Sequence, residues 1–298
     1  MNFRRLFFSG FVFSCCLCAG SLHAQLFFSE SFDYADGDLD TVSGGVWTTH
    51  SGDPPSVQVV GGQAVISSPG LADHNRLTGI VAGVNDVWYY AVRFSVELGV
   101  GDAINNDYFA HFKDDSTFGF NARLAPSAPA DPANDFSLQI WASSGGDGMV
   151  DWDGDFSFGE ELVCVVRWNN GTGEATLWVN PVDESSVSVT DDEVADAMRP
   201  VESVAFRQDG GDGMNGSSVV SVDALAAGTD FATVLSEVQP MGFLLGDVNC
   251  DGVVDLLDVG PFVDLLTIGG FDAKADIDMN GVVELLDVAP FVALLSGN

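Results

Sequence analysis

Basic residues are scarce in this 298-residue sequence. Ten Lys and Arg stand against 44 Asp and Glu, which gives a formal net charge of −34 at pH 7. A negative field of this size repels nucleic acid and anionic membrane surfaces. Long apolar runs are also missing, because no segment after the N-terminal one approaches the roughly twenty apolar residues of a membrane-spanning helix. These shortages exclude nucleic-acid binding and membrane spanning from the expected functions.

Cysteine and histidine are too few for two further kinds of site. Only Cys164 and Cys250 lie beyond the N-terminal segment, in different modules, which excludes a disulfide framework. Cys164 falls in an apolar run, where a free cysteine behaves as a small core residue. His50, His74 and His111 lack the spacing of a zinc site or of a Ser-His-Asp arrangement. The sequence therefore gives no motif for zinc chemistry or nucleophilic catalysis.

The N-terminal segment has the pattern of a secretory signal peptide. Arg4 and Arg5 precede an apolar stretch from Leu6 to about Ala19, and a small-residue cleavage site ends at Ala24. We expect residues 1–24 to be removed. The mature protein is then secreted or held at the cell surface.

The most specific motif is an acidic twelve-residue loop that occurs twice, at Asp247–Asp258 and Asp276–Asp287. Each copy has oxygen-bearing side chains at positions one, three, five and nine, glycine at six and an acid at twelve, as calcium loops require. The second copy begins 29 residues after the first and keeps the same Asp-Val-x-Pro-Phe-Val-x-Leu-Leu continuation. We predict two Ca²⁺ ions. Their ligands, with backbone carbonyls from the valines, are Asp247, Asn249, Asp251, Val253, Asp255, Asp258, Asp276, Asp278, Asn280, Val282, Glu284 and Asp287.

Proline places the start of the helix that follows each loop. Pro261 and Pro290 would cost about 3 kcal/mol inside a helix but little in its first turn. We therefore expect these helices to begin near Val259 and Val288. The module, residues 246–298 after a linker at 236–245, is short and buries little apolar area, so its folding is expected to depend on calcium.

The two loops, the Asp at position twelve and the intervening run from Gly270 to Asp276 resemble type I dockerins. This resemblance implies a two-calcium fold and a cohesin-like or cell-surface partner. It also implies a partner-binding surface at positions ten and eleven of each loop, which are Leu256, Leu257, Leu285 and Leu286. Cellulosomal dockerins commonly have small polar residues there. The alternative is that one leucine of each pair fills the small core between the helices.

Residues 25–235 show a period of two almost throughout. Apolar and polar positions alternate in runs such as Tyr89–Leu98, and turns rich in Gly, Asn and Asp separate the runs. A helix is suggested only near 191–198. The pattern predicts a mainly β protein, an antiparallel jelly-roll sandwich followed by the small helical two-calcium domain.

Several stretches of this region resemble concanavalin A-like lectin/glucanase sandwiches, including laminin-G-like modules. They include Glu30–Tyr34, Tyr108–Asp114, Thr176–Pro181 and Val222–Leu225. The resemblance implies a concave sheet often used for glycans, without fixing an activity.

Candidate glycan-binding residues lie on the strand face opposite the apolar positions. They are Trp141, Trp178, Asn121, Arg123 and His111. Aromatic platforms beside hydrogen-bonding groups are what a sugar-binding face needs. The alternative is that the tryptophans cover the other sheet or a loop. Asp151–Asp155 is either a third cation loop or an ordinary acidic turn.

No catalytic residues are assigned. Retaining glucanases of this fold carry Glu-x-Asp-x-Glu on one strand face, and that string is absent from the sequence. We therefore favour a non-catalytic, polysaccharide-recognising sandwich attached through the calcium-binding module. A glycoside hydrolase or other polysaccharide-degrading enzyme is the first alternative, and a structural or adhesion protein of the cell surface is the second.

Overall fold

The computed structural model describes residues 24–67, 70–99, 104, 107–115, 119–142, 148–192, 199–208, 218–239, 244–249, 253–268, 270–272, 274–278, 280 and 282–296. Its strands are β1 (Leu26–Glu30), β2 (Gly37–Asp38), β3 (Thr48–Ser51), β4 (Gln58–Val60), β5 (Gln63–Ser67), β6 (Asp73–Leu77), β7 (Val87–Leu98), β8 (Ala110–Lys113), β9 (Phe120–Ser127), β10 (Ser137–Trp141), β11 (Val150–Asp151), β12 (Glu161–Asn169), β13 (Glu174–Val179), β14 (Val189–Asp191), β15 (Ser203–Phe206) and β16 (Ser218–Gly228). The helices are α1 (Leu39–Val42), α2 (Phe231–Val238), α3 (Val259–Ile268) and α4 (Val288–Leu295), with a 3-10 turn at Leu285–Asp287.

The strands form two antiparallel sheets. The nine-stranded sheet has the order β14-β13-β12-β7-β16-β5-β4-β2, with β1 also paired to β16. The seven-stranded sheet has the order β11-β10-β9-β8-β15-β6-β3. Apolar side chains from the facing sides of both sheets form one core. This arrangement confirms the predicted mainly β, antiparallel sandwich.

Strand β7 shows why the alternation appears in the sequence. Tyr90, Val92 and Phe94 point into the core between the sheets. Tyr89 and Ala91, on the opposite side of the same strand, are also buried, because α2 packs there. The nine-stranded sheet is therefore covered on both faces in this region.

Helix α2 begins at a side-chain cap. The Asp230 carboxylate accepts a hydrogen bond from Thr233 N at 2.9 Å, which satisfies one of the unpaired N–H groups of the first turn. Its apolar residues recur at helical spacing and are buried against the sheet. The helix ends at Val238, within the predicted linker.

The C-terminal module has a small core of its own. Phe262 of α3 and Phe291 of α4 stack with ring centroids 4.2 Å apart. Val248 and Ile277, which also lie 29 residues apart, pack against them. Helices α3 and α4 begin at Val259 and Val288, as the proline positions predict.

Two expectations fall partly or wholly outside the described residues. The predicted signal peptide, residues 1–24, lies outside the described residues except for Ala24. The suggested helix at 191–198 has only its first two residues described, of which Asp191 ends β14. Cys164 is a buried free thiol, as expected, and burial raises its pKa. In the described part of the chain, no helix is long and apolar enough to cross a membrane.

Candidate functional site

Polar side chains gather on the outer face of the seven-stranded sheet. Along β8, β9 and β10, every second residue points into the core between the sheets, and the residues between them point to the outer face. His111, Asn121, Arg123 and Trp141 are among these outer-face residues, on three neighbouring strands. The structure therefore brings together four of the five predicted glycan-binding residues.

A β-bulge shapes the middle of this face. The pairing of β8 with β9 shifts between Ala110 and Phe112, and Ala122 has a φ of 51°. A left-handed conformation is costly for a residue with a Cβ, and bulges near sites re-aim neighbouring side chains. The Tyr90 hydroxyl, from the opposite sheet, donates a hydrogen bond to the Ala122 carbonyl at 2.9 Å. A core tyrosine thus anchors the strand segment that carries Asn121 and Arg123.

Aromatic rings and guanidinium groups form a stack over this face. The Arg123 guanidinium lies 4.4 Å from the Trp141 ring centroid and 5.0 Å from that of Tyr108. Arg207 lies 4.7 Å from the same Tyr108 ring and forms an ion pair with Asp107. Cations placed over aromatic faces at these distances are attracted by the ring quadrupole. We call Trp141, Arg123, Tyr108 and Arg207 the arginine–aromatic stack.

Buried polar atoms lie on the same face as the arginine–aromatic stack. His111 and Asn121 are both 0% exposed, and the His111 ring lies 5.2 Å from that of Tyr108. His111 Nε2 and both amide atoms of Asn121 are buried without a hydrogen-bond partner, as is Trp141 Nε1. A buried polar group left unpaired costs about 1–3 kcal/mol. This concentration of unpaired atoms is unusual for a purely structural surface.

Burial fixes the charge state of the histidine. Desolvation, with smaller effects from His50, Arg123 and Arg207, lowers the pKa of His111 well below its ordinary value despite the contact with Phe112. The Phe112 carbonyl lies 3.0 Å from Nδ1 and can only accept, so the proton lies on Nδ1. Nε2 therefore presents a lone pair at neutral pH. It can accept a hydrogen bond from a ligand hydroxyl.

Trp178 does not belong to this face. It lies on β13 in the nine-stranded sheet, is 3% exposed and packs edge-on against Phe231 of α2 at 5.1 Å. The prediction that Trp178 shares an open face with Trp141 is therefore wrong. Strand alternation separated both tryptophans from the core, but it could not show that α2 covers Trp178.

Sequence reasoning missed Tyr108 and Arg207. Tyr108 precedes β8 and Arg207 follows β15, so neither falls within a strand pattern. Arg207 continues the parity of Ser203 and Ala205, which could have placed it on the outer face. Burial raises the pKa of Tyr108 to about 12 although Arg207 and Arg123 lower it, so this hydroxyl is a hydrogen-bonding group rather than an anion.

The acids near the stack already have structural partners. Asp107 pairs with Arg207. Asp73, whose pKa is raised by burial, accepts hydrogen bonds from Ser51 Oγ at 2.8 Å and Gln208 N at 2.9 Å. The described residues of this face thus contain no pair of open carboxylates of the kind that glycoside hydrolysis uses.

The two acidic loops of the C-terminal module have the same hydrogen bonds. Asp258 accepts from Asn249 N and Asp255 N at 2.9 and 2.8 Å. Asp287 accepts from Asp278 N and Glu284 N, also at 2.9 and 2.8 Å. Both aspartates are fully buried at position twelve. The sequence repeat is therefore a repeat in three dimensions.

The second loop brings carboxylate oxygens together. Oxygens of Asp276, Asp278 and Asp287 lie within 4.8 Å of one another, and two of these residues are buried. Like charges at this separation repel strongly unless a cation lies among them. In the first loop Lys274 Nζ lies 3.7 Å from Asp247 Oδ2, while Asp251 lies outside the described residues. The donor set fits a hard cation that prefers oxygen ligands.

The leucines at positions ten and eleven are on the surface. Leu256, Leu257, Leu285 and Leu286 are 79%, 67%, 81% and 64% exposed. The alternative that one of each pair fills the helix core is wrong, because Phe262 and Phe291 fill it. Two equivalent apolar pairs thus face solvent.

The Asp151–Asp155 segment resembles an ordinary turn. Both carboxylate oxygens of Asp155 accept backbone hydrogen bonds, from Ala130 N and Asp131 N at 2.8 Å each. These bonds lower the Asp155 pKa and fix the loop after β9. The geometry favours the structural alternative over a third cation loop.

Comparison with known proteins gives only distant similarity. No protein-family model and no curated protein matches the chain. An alginate lyase from Alteromonas sp. 272 is 14% identical over 63% of this chain and 96% of that chain, with a TM-score of 0.40. A carbohydrate esterase from Shiga toxin-encoding bacteriophage phi24B is 12% identical over 70% and 99%, with a TM-score of 0.44. Peanut lectin is 13% identical over 68% and 96%, with a TM-score of 0.43. At these values the similarity identifies neither a family nor an activity.

Proposed function

We propose that this protein is a secreted, calcium-binding protein whose sandwich recognises a polysaccharide on the outer face of the seven-stranded sheet. The observation that carries the proposal is the set of unpaired, fully buried polar atoms of His111 and Asn121 next to the arginine–aromatic stack. A sugar complements both parts of this face, because its hydroxyls can donate hydrogen bonds to the polar atoms or accept them, and its C–H faces can stack on the aromatic rings.

The hydrogen-bonding capacity of the face matches a pair of sugar hydroxyls. His111 Nε2 accepts one O–H, and the Asn121 amide offers one acceptor and one donor group. Both side chains lie beneath the surface, and the rings of Tyr108 and Phe120 pack on His111, so a bound sugar reaches this histidine when these rings move aside. Hydrogen bonds to the sugar in the complex then offset the cost of leaving these buried polar atoms unpaired.

We further propose that the C-terminal module holds two Ca²⁺ ions and is of the dockerin type. The clustered oxygens of Asp276, Asp278 and Asp287 and the matching hydrogen bonds at Asp258 support this proposal. When bound, calcium neutralises the acidic loops and thereby stabilises a module with a core of a few side chains. Calcium also suits an extracellular location.

The exposed leucine pairs are proposed as the partner-binding surface of this module. Apolar side chains that are largely exposed and occur at equivalent places in both halves fit a protein partner better than solvent. A cohesin-like or cell-surface protein is the partner that the dockerin resemblance implies. Replacing Leu256 and Leu285 with serine should abolish retention on such a partner and leave calcium binding intact.

A second candidate function is polysaccharide degradation. The observation in its favour is the neutral imidazole of His111, whose ring lies beside that of Tyr108 and whose unpaired Nε2 can act as a base. Incubation with the bound polymer, followed by measurement of new chain ends, distinguishes degradation of the polysaccharide from its recognition. If the protein produces new chain ends and His111→Gln does not, the function of this face is catalysis rather than recognition.

Binding by the whole protein in calcium buffer tests the main proposal. The polymer panel comprises neutral β-glucans and galactans together with carboxylated and sulfated polysaccharides, measured by affinity electrophoresis and calorimetry. Trp141→Ala should weaken binding of the recognised polymer by about tenfold or more, which corresponds to about 1.4 kcal/mol. Trp141→Phe should retain most of it.

Trp152→Ala is the matched control. This half-buried tryptophan packs at the edge of the core and is not a member of the stack. Its replacement should leave affinity unchanged. Equal losses of affinity in Trp141→Ala and Trp152→Ala would show a general effect on stability. Absence of binding to every polymer of the panel would overturn the proposal.

A further inference from the structure

A second histidine of the seven-stranded sheet has unpaired ring nitrogens. His50 belongs to the edge strand β3, and the pairing of β3 with β6 shifts between Thr49 and Ser51, on either side of it. Both His50 ring nitrogens are buried without a hydrogen-bond partner, although the residue as a whole is partly exposed. His111 likewise lies at a register shift, that of β8 with β9. Bulges re-aim side chains near sites, and here each accompanies an imidazole without a partner.

The strand register places His50 on the same outer face as His111. Ala205 of β15 lies opposite His111 on one side and opposite Asn75 of β6 on the other. Thr48 of β3 lies in turn opposite Asn75. Residues directly opposite each other in antiparallel strands share a face, and His50, two residues after Thr48, points to that face as well.

The His50 imidazole is neutral at pH 7. Desolvation, with smaller effects from Lys113 and His74, lowers the pKa of His50 to about 4. His50 also contributes to the lowered pKa of His111, so the two side chains interact across β15 and β6. A neutral imidazole has one donor and one acceptor nitrogen, which suits a sugar hydroxyl. Buried nitrogens without partners are costly, and a ligand that bonds to them offsets this cost.

The strand between the two histidines leaves room for a ligand that contacts both. Ser203 and Ala205 are the residues of β15 that point to the outer face, and both have short side chains. No long side chain of β15 itself therefore separates the two imidazoles.

We infer that His50 is a further polysaccharide-binding residue and that the bound chain runs across the strands from Trp141 to His50. This inference rests on the proposed glycan-binding function and specifies its ligand as a segment of several sugar residues. Trp141 on β10 and His50 on β3 are separated by five strand intervals, which is about 24 Å at about 4.8 Å each. A single sugar residue cannot contact both side chains.

Oligosaccharides of increasing length test this requirement in calorimetry with the full protein in calcium buffer. Partial hydrolysis of laminarin, galactan and polygalacturonate gives a series from disaccharide to octasaccharide for each polymer. For the recognised polymer, we expect affinity to rise tenfold or more along the series, because only the longer members reach from Trp141 to His50. Equal affinity at all lengths would overturn the inference and leave polysaccharide recognition in place.

His50→Ala and Thr48→Ala locate the far end of the ligand. Thr48 is the control because it lies on the same strand and face, is exposed, and already donates a hydrogen bond to Asn75 Oδ1 at 3.2 Å. His50→Ala should weaken binding of the octasaccharide about tenfold and leave disaccharide binding unchanged, whereas Thr48→Ala should change neither. His50→Gln keeps one donor and one acceptor group, so it should retain part of the affinity.

Thermal unfolding of each variant separates a lost contact from a lost fold. If His50→Ala keeps its Tm and binds the octasaccharide as tightly as the unchanged protein does, the inference is overturned. An equal loss of affinity at every length would also overturn it, because His50 would then act on the whole face. Absence of binding to every polymer and oligosaccharide would overturn both the inference and the proposed function.

Discussion

Tyr90→Phe should weaken the binding face although Tyr90 lies in the core between the sheets. The change removes only the hydroxyl that donates to the Ala122 carbonyl at 2.9 Å. Because phenylalanine keeps the ring volume, no cavity forms and packing is retained. A buried carbonyl without its partner costs about 1–3 kcal/mol. For a domain of this size, each kcal/mol lowers Tm by about 2–4 °C.

The effect on binding follows from the conformation of Ala122. Its left-handed φ of 51° holds the bulge between Asn121 and Arg123 at a cost of about 1–3 kcal/mol. Without the Tyr90 bond the bulge is free to relax, and a shift of about 1.4 kcal/mol reduces affinity about tenfold. Tyr89→Phe is the control. Its hydroxyl donates to Glu184 at 2.7 Å on the opposite face of the same sheet.

Thermal unfolding and polysaccharide titration of both variants provide the assay. Tyr90→Phe should lower both Tm and affinity, whereas Tyr89→Phe should change affinity little. If Tyr90→Phe lowers Tm and leaves affinity unchanged, the bulge does not position the binding residues, and the link between core and face is refuted.

Three further predictions concern stability and calcium. Glu30→Gln should destabilise the sandwich by about 3–5 kcal/mol in urea unfolding, because this buried carboxylate pairs with Arg76 at 2.5 Å and accepts hydrogen bonds from Tyr34 and Trp47; a loss below 1 kcal/mol would contradict this. Lys274→Gln should raise the calcium affinity of the first loop relative to the second, because the Lys274 ammonium group, 3.7 Å from Asp247 Oδ2, competes with the ion. If calorimetry gives the same calcium affinities at both loops before and after the substitution, the prediction is contradicted. Stability should fall as pH decreases from about 6.5 towards 4, because desolvation lowers the pKa of His50 to about 4 in the folded protein. Between these pH values the unfolded chain binds more protons than the folded one. His50→Asn should flatten this decline, and a pH profile identical to that of the unchanged protein would contradict the prediction.

The sequence predicted the sandwich because its core residues alternate. In β7 the positions of Tyr90, Val92 and Phe94 are those found between the sheets. Parity also placed His111, Asn121, Arg123 and Trp141 on one face correctly. A strand's alternation depends on its own residues, so it can be read without knowledge of the rest of the fold.

Features that depend on contacts between distant segments were not predictable in this way. Trp178 has the same alternation signal as Trp141, and only the packing of α2 distinguishes this buried tryptophan from Trp141 at the candidate site. The bulge at Ala122 likewise depends on how β8 pairs with β9. Its left-handed residue is alanine rather than glycine, so composition gave no sign of it.

Helix α2 did have a sequence signal. Asp230 is a suitable N-cap, and Phe231, Val234, Leu235 and Val238 recur at the spacing of one helix face. The surrounding period-two pattern obscured this short segment. Recognising it would have predicted that a helix covers Trp178 on the nine-stranded sheet.

Hydrogen exchange of the protein with and without its polysaccharide tests the central claim most directly. Bound polymer should slow exchange in β8, β9 and β10, the strands that carry His111, Asn121, Arg123 and Trp141, and leave β12 and β13 unchanged. Protection confined to β12, β13 or α2, with none in the seven-stranded sheet, would place the binding site elsewhere and contradict the account.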